Sequence, residues 1–394
     1  MNASRWLFIP ILAAAYFLVT GNGILAVLIP YRAHAEGISA QHIAQFGSGY
    51  FAGMLGGAFI IPLLIHRFGA MRAFAFAVSL GALAAFCLPL MIAPLPWILC
   101  RTIIGFSLAS LYSVLESWLN ASAAGGSRAK MLAMGSTVQY AAWASGSQIF
   151  AHGNPATPWL FWLAAGLIFL AAMTVFANRL DEPPRPSAPK LDLLWFLKAA
   201  PLAFCCAALI GLSSGAFWSL NPVYGSQIHL DAESIGNIGT AVTLGAALAQ
   251  VPVGHWSDSG DRRKVLLTLA LMAALGNAVL AYFGPDTAPV LLYLHYFLLG
   301  AIMMPLYYVV SAYSVDHCGT GHAVMVTAAI LFLYCIGAII GPMAASALMG
   351  LFGPGALYIW VTGAHLIISG LTLRDFVHNK SIAAIGLSRS TGNL

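Results

Sequence analysis

Apolar stretches of roughly 20 residues, nearly free of charge, recur along almost the whole 394-residue chain. Each is long enough to cross a bilayer core as a helix. One of them reads LPWILCRTIIGFSLASLYSVL. In hydrocarbon every backbone N–H and C=O must be paired internally, so only helices or a closed barrel can span. Barrel strands alternate apolar and polar residues over about ten positions, and these runs do not. The runs fall at Trp6–Pro30, Ile43–Ile65, Ala73–Ala93, Leu95–Leu119, Met131–Phe150 and Trp159–Ala177. Six more follow at Leu194–Tyr224, Ile235–Val253, Val265–Phe283, Pro289–Val315, Ala323–Met349 and Leu357–Leu373. The expected fold is an all-α membrane protein with twelve transmembrane helices. Only 7% of residues are charged and 60% are hydrophobic, whereas a soluble domain carries about 25% charged residues. The first run is too long for the h-region of a signal peptide, about 7–15 residues, so it reads as an uncleaved span.

The sparse charges orient the chain. Basic residues in short loops mark the cytoplasmic face. Of the 17 Lys and Arg, all but Arg32 and Arg101 fall at the termini or in the loops of one face. This predicts an even number of spans with both termini cytoplasmic, in a bacterial inner membrane. Because the net charge of +5 is spread over such loops, it gives no signal for nucleic acid. The six cysteines have no metal-ligand spacing; they read as small buried residues without disulfides.

The longest polar break, NRLDEPPRPSAPKLD, divides the chain. Its prolines cannot continue a helix. The expected organisation is a six-helix half over 1–178, a cytoplasmic linker over 179–193, a second half over 194–374 and a frayed tail over 375–394. The halves are related. Gly47 and Gly53 pair with Gly239 and Gly245 at an offset of 192, and LYSV at Leu111 returns as LYYV at Leu306 at an offset of 195. Two parallel, pseudo-symmetric repeats suit alternating access around a midplane site.

The loop after the eighth run reads GHWSDSGDRRK, from Gly254 to Lys264. A glycine, an acid four residues on and a basic cluster are in place. Gly254 can let helices approach closely, and Asp258 can pair with Arg262 beside Arg263. The alternative is a solvated basic loop. This string resembles the loop signature of the major facilitator superfamily, in which such a cluster locks the cytoplasmic side. The first-half copy, PLLIHRFGAMR, keeps Arg67, Gly69 and Arg72 but has Pro62 and His66 where the signature has glycine and an acid. Arg101 followed by Gly105 resembles the fourth-helix arginine motif of that superfamily. GYFAG, ESWLN, LYYVVSAY and GPMAASALM resemble its YcaD-like branch. The resemblance covers nearly the whole chain and implies the major facilitator fold.

Candidate site residues follow. Arg101 is costly in a membrane unless it faces water or a partner; alternatively it snorkels to the outer interface. Glu116 lies about 60° further round the same helix. It is either a proton-coupling acid or a partner of Arg67 or Arg72. His295 falls beside the position equivalent to Arg101 and is expected to face it; histidine titrates near neutral pH. The resemblance implies that helices one, four, seven and ten line a central cavity, which adds Asn22, Tyr112, Trp218, Asn221 and Tyr307. The fifth run has no proline, which weakens a reading as a drug exporter of that superfamily. No phosphate-binding loop, catalytic motif or metal cluster is present, so no enzyme, cofactor or metal is expected. The expected function is a secondary transporter, proton-coupled, moving a small polar or anionic solute. The alternatives are proton-driven efflux of lipophilic compounds and a non-transporting receptor or scaffold. The expected partners are the small-molecule substrate, protons and the lipid bilayer, and nothing requires more than a monomer.

Overall fold

The computed structural model describes residues 3–121, 128–177, 191–284 and 287–391. Among these every regular element is helical. The first half holds α1 (Ala3–Ala35), α2 (Ala40–Phe68), α3 (Ala70–Cys87), α4 (Pro94–Ala121), α5 (Arg128–His152) and α6 (Trp159–Ala177). The second holds α7 (Leu193–Ala199), α8 (Pro201–Gln227), α9 (Ala232–Ser259), α10 (Arg262–Phe283), α11 (Pro289–Met303), α12 (Pro305–Cys318), α13 (Ala323–Phe352) and α14 (Ala356–Thr391).

Helix ends follow local chemistry. Asp231 caps α9 by accepting from the Ser234 N–H at 2.8 Å, and Asp261 caps α10 by accepting from the Arg263 N–H at 3.0 Å. Such side chains satisfy donors that a helix start leaves free. The turn from α2 into α3 passes through Gly69 at φ 86°, a conformation that glycine adopts without a Cβ penalty.

Eleven of the described helical spans are long and apolar enough to cross a membrane. The expected fifth span lies in α5, which is richer in polar residues such as Gln139, Ser145, Ser147 and Gln148 and packs against α1 and α9 inside the bundle. Two expected spans are broken by proline. The seventh is divided into α7 and α8 before Pro201, and the tenth into α11 and α12 before Pro305. Proline has no N–H to continue the ladder and crowds the preceding turn. The polar tail, expected to fray, instead continues α14 as far as Thr391.

Both halves use the same close helix pair. In the first, α2 packs on α4; in the second, α9 packs on α11. A Cβ on Gly53 would collide with the Thr102 carbonyl, and one on Gly105 with that of Tyr50. In the second half Gly245 meets the Phe297 carbonyl and Gly300 that of Val242 in the same way. Small residues let membrane helices approach backbone to backbone.

The halves meet through α2 with α13 and α8, and through α5 with α9. Several of their polar contacts sit away from the basic loops, while the Tyr140–Tyr308 hydrogen bond joins the halves nearer to them. Gln148 Nε2 donates to Asn237 Oδ1 at 2.9 Å and Thr240 Oγ1 at 2.7 Å. Ser48 Oγ donates to the Ile339 carbonyl at 2.6 Å. Gly236 and Gly239 lie against Ser147. The bundle is thus sealed at the end where α5 finishes and α9 begins.

Candidate functional site

The arginine within α4's apolar run is held inside the bundle. Arg101 is 7% exposed, so it does not snorkel to the interface. Its guanidinium lies over the Tyr50 ring, 4.5 Å from the centroid, a cation–π contact. Asn22 Nδ2 donates to the Tyr50 hydroxyl at 3.1 Å. The cluster therefore joins α1, α2 and α4. It is incomplete: Arg101 Nη1 and Asn22 Oδ1 are buried without a hydrogen-bond partner. Among the described residues no carboxylate pairs with Arg101; its electrostatic neighbour is Tyr50. A buried charge with an open donor is normally avoided, and among the buried atoms without a partner, which include Thr20 Oγ1, Gln227 Oε1 and Asn277 Oδ1, Arg101 Nη1 alone belongs to a charged group.

Next to it stands a wall of tyrosines drawn from both halves. Tyr112 is within electrostatic reach of Tyr50, Tyr140, Tyr308 and Tyr334, and Tyr140 approaches Tyr308 across the halves. Tyr307 packs edge-on against Tyr334, with ring centroids 5.3 Å apart. Tyr112 is nevertheless 40% exposed and Tyr308 52%. Side chains so surrounded, yet exposed, line an opening inside the bundle. Tyr308 continues into a cavity of about 190 Å³ lined also by Gly254, Ser257, Asp258 and Arg262. The opening thus leads toward the end that carries the basic loops.

The second half has a polar centre of its own. Asn221 Oδ1 accepts from the Tyr296 hydroxyl at 2.9 Å and from the Tyr358 hydroxyl at 2.7 Å, and the two hydroxyls also bond each other. Trp218 is half-buried and faces Trp143 of α5, with centroids 5.8 Å apart. His295 does not meet Arg101. Its Nε2 bonds the Gly276 carbonyl of α10 at 2.9 Å, and it borders a lipid-side cavity of about 230 Å³ with Leu291, Leu294 and Leu298. At the 195 offset the position equivalent to Arg101 is Tyr296. One residue turns a helix by about 100°, which is why His295 points to α10 and Tyr296 to the centre.

The loop motif forms a charge network inside the second half. Arg262 Nη1 donates to Asp258 Oδ1 at 2.9 Å, and its Nε to Asp316 Oδ2 of α12 at 2.6 Å. Arg263 pairs with Asp261 at 3.0 Å and Asp375 at 3.5 Å. Asp316 and Asp375 carry no sequence signal, because they join the cluster only through the fold. Gly254 does not mediate a close approach here: a Cβ on it would meet nothing within 4 Å. Arg67 and Arg72 are exposed, and among the described residues neither forms an ion pair. Glu116 lies on α4, but its side chain is outside the described residues.

Hydrogen bonds from Arg263 hold the Asp261 carboxyl below its ordinary 3.8. Its contribution to stability is therefore complete above that value and is lost as pH falls through the depressed one. Asp261→Ala should lower stability by about 1 kcal/mol, the usual worth of a cap. In thermal unfolding the gap from the parent should be constant from pH 5 to 8 and shrink in strong acid.

The sequence pattern of the Major Facilitator Superfamily matches residues 11–198 and 203–381. An uncharacterized MFS-type transporter, YcaD of Escherichia coli O7:K1, is 26% identical over 95% of this chain and 97% of its own length. That of Escherichia fergusonii is 25% identical over the same shares. Among solved structures, the nucleoside transporter NupG superposes with a TM-score of 0.76 at 13% identity, covering 95% of this chain and 99% of that one. The human organic anion transporter MFSD10 gives 0.66 at 15% identity, covering 94% of this chain and 100% of that one.

Proposed function

Because the chain belongs to the Major Facilitator Superfamily, a family of transporters rather than enzymes, we propose that it is a proton-coupled secondary transporter of a small polar or anionic solute. The observation that carries this reading is Arg101, a buried cation with an open donor and no acid beside it among the described residues. An anionic group entering from the open end would supply the missing acceptor. Efflux of lipophilic cations fits less well, since Arg101 would repel them.

With the basic loops cytoplasmic, the open end faces the cytoplasm and the chain adopts an inward-facing state in a bacterial inner membrane. Alternating access then requires the α5–α9 and α2–α13 contacts to part while the basic end closes over Gly254. Glu116 is the candidate proton carrier, as the carboxylate placed within a membrane run. The protein needs no second copy for this cycle, and its lipid-facing surface is the remaining partner. Purified protein in liposomes should accumulate a radiolabelled organic anion when the pH gradient is imposed, and Glu116→Gln should uncouple uptake from that gradient. Absence of flux under every gradient would favour a receptor or scaffold.

A further inference from the structure

We propose that the cargo is a planar aromatic monocarboxylate: one ring bearing one negative charge. The proposal rests on the anionic-solute reading above and narrows it.

The charge count comes from Arg101. It is the only basic side chain of the described membrane interior with a buried, open donor. Arg67 and Arg72 are exposed at the loop end, and Arg262 and Arg263 are already engaged by Asp258, Asp316, Asp261 and Asp375. A single carboxylate completes the site. A second one would be left without a counter-charge in a poorly solvated place.

The ring comes from the wall. Tyr50, Tyr112, Tyr140, Tyr307, Tyr308 and Tyr334 come from α2, α4, α5, α12 and α13. Together they place ring faces, ring edges and hydroxyls beside the opening, which continues past Tyr308 to Ser257 and Asp258. Tyr112 and Tyr308 keep much of their surface free. An aromatic guest can pack on them edge-on or offset at centroid separations of about 4.5–7 Å, which is how Tyr307 already meets Tyr334 at 5.3 Å. The open Asn22 Oδ1 lies beside Tyr50.

The test is isothermal titration of purified full-length protein at pH 7 with four probes: benzoate, 2-hydroxybenzoate, cyclohexanecarboxylate and phthalate. The expected order places both aromatic monoanions at least tenfold tighter than cyclohexanecarboxylate, with phthalate the weakest. In Tyr112→Leu the ratio of benzoate to cyclohexanecarboxylate affinity should shrink to about twofold. Tyr308→Leu serves if that variant does not fold. Equal binding of benzoate and cyclohexanecarboxylate overturns the aromatic assignment and leaves the anion reading standing. Phthalate binding as tightly as benzoate overturns the single charge. If a broader panel of sugars or cations binds and no carboxylate does, the anion reading falls and takes this proposal with it.

Discussion

Arg101→Gln is expected to abolish carboxylate binding and flux while leaving the melting temperature unchanged or higher. The two effects part because the site is unfinished. Arg101 is buried with Nη1 unpartnered, held by the Tyr50 ring and not by an acid. Removing an uncompensated buried charge does not break an ion pair, so little stability is lost and some is gained. Losing the charged donor for a buried carboxylate costs roughly 2–5 kcal/mol, or about 30- to 4000-fold in affinity. Arg101→Lys should not rescue binding, since an ammonium lacks the planar fork and stacks less well on tyrosine. The readouts are Kd by titration and melting temperature on the same sample. A fall of many degrees with binding retained would make Arg101 a structural strut between α2 and α4.

Gly53→Val and Gly245→Val should each prevent folding, the largest stability effect expected anywhere in the chain. At both positions a Cβ would fall on a backbone carbonyl of the neighbouring helix, Thr102 or Phe297. A carbonyl cannot swing aside as a side chain can, so α2 must leave α4, or α9 must leave α11. Overpacking alone costs about 1–3 kcal/mol, and separating two helices along their length adds more than a stability of about 5–15 kcal/mol can absorb. Size-exclusion profiles of detergent extracts should show aggregate in place of a single peak. Gly56→Ala and Gly363→Ala, where nothing lies within 4 Å, should elute as the parent does. A single peak for Gly53→Val would mean that the α2–α4 approach is not required.

These two sites also mark what the sequence made legible. Gly53 and Gly245 stood out as a pair at an offset of 192, and the structure gives both the same task. The apolar runs gave the helices, since length and charge alone decide what can span. Two proline breaks were written in the runs as Pro201 and Pro305, yet a run of hydropathy passes over them. The candidate site was half legible. Arg101 and Asn22 were found because polar atoms in lipid must find partners, and Tyr112 and Tyr307 because their helices line the centre. Tyr50 was missed, since a ring beneath a guanidinium leaves no spacing signal. His295, expected to face Arg101 from beside the equivalent position, turns to α10 instead, because an offset carried by weak identity fixes the helix but not the face. Asp316 reaches Arg262 across 54 positions, and no local pattern announces such a partner.

The contacts sealing the end where α5 finishes and α9 begins contain amides, hydroxyls and small residues, whereas the loop network at the other end is made of full charges. Added salt screens exposed charges over about 8–10 Å but scarcely touches neutral hydrogen bonds such as Gln148 with Asn237 and Thr240. Salt is therefore expected to loosen the charge network inside the second half while the contacts that join the two halves hold.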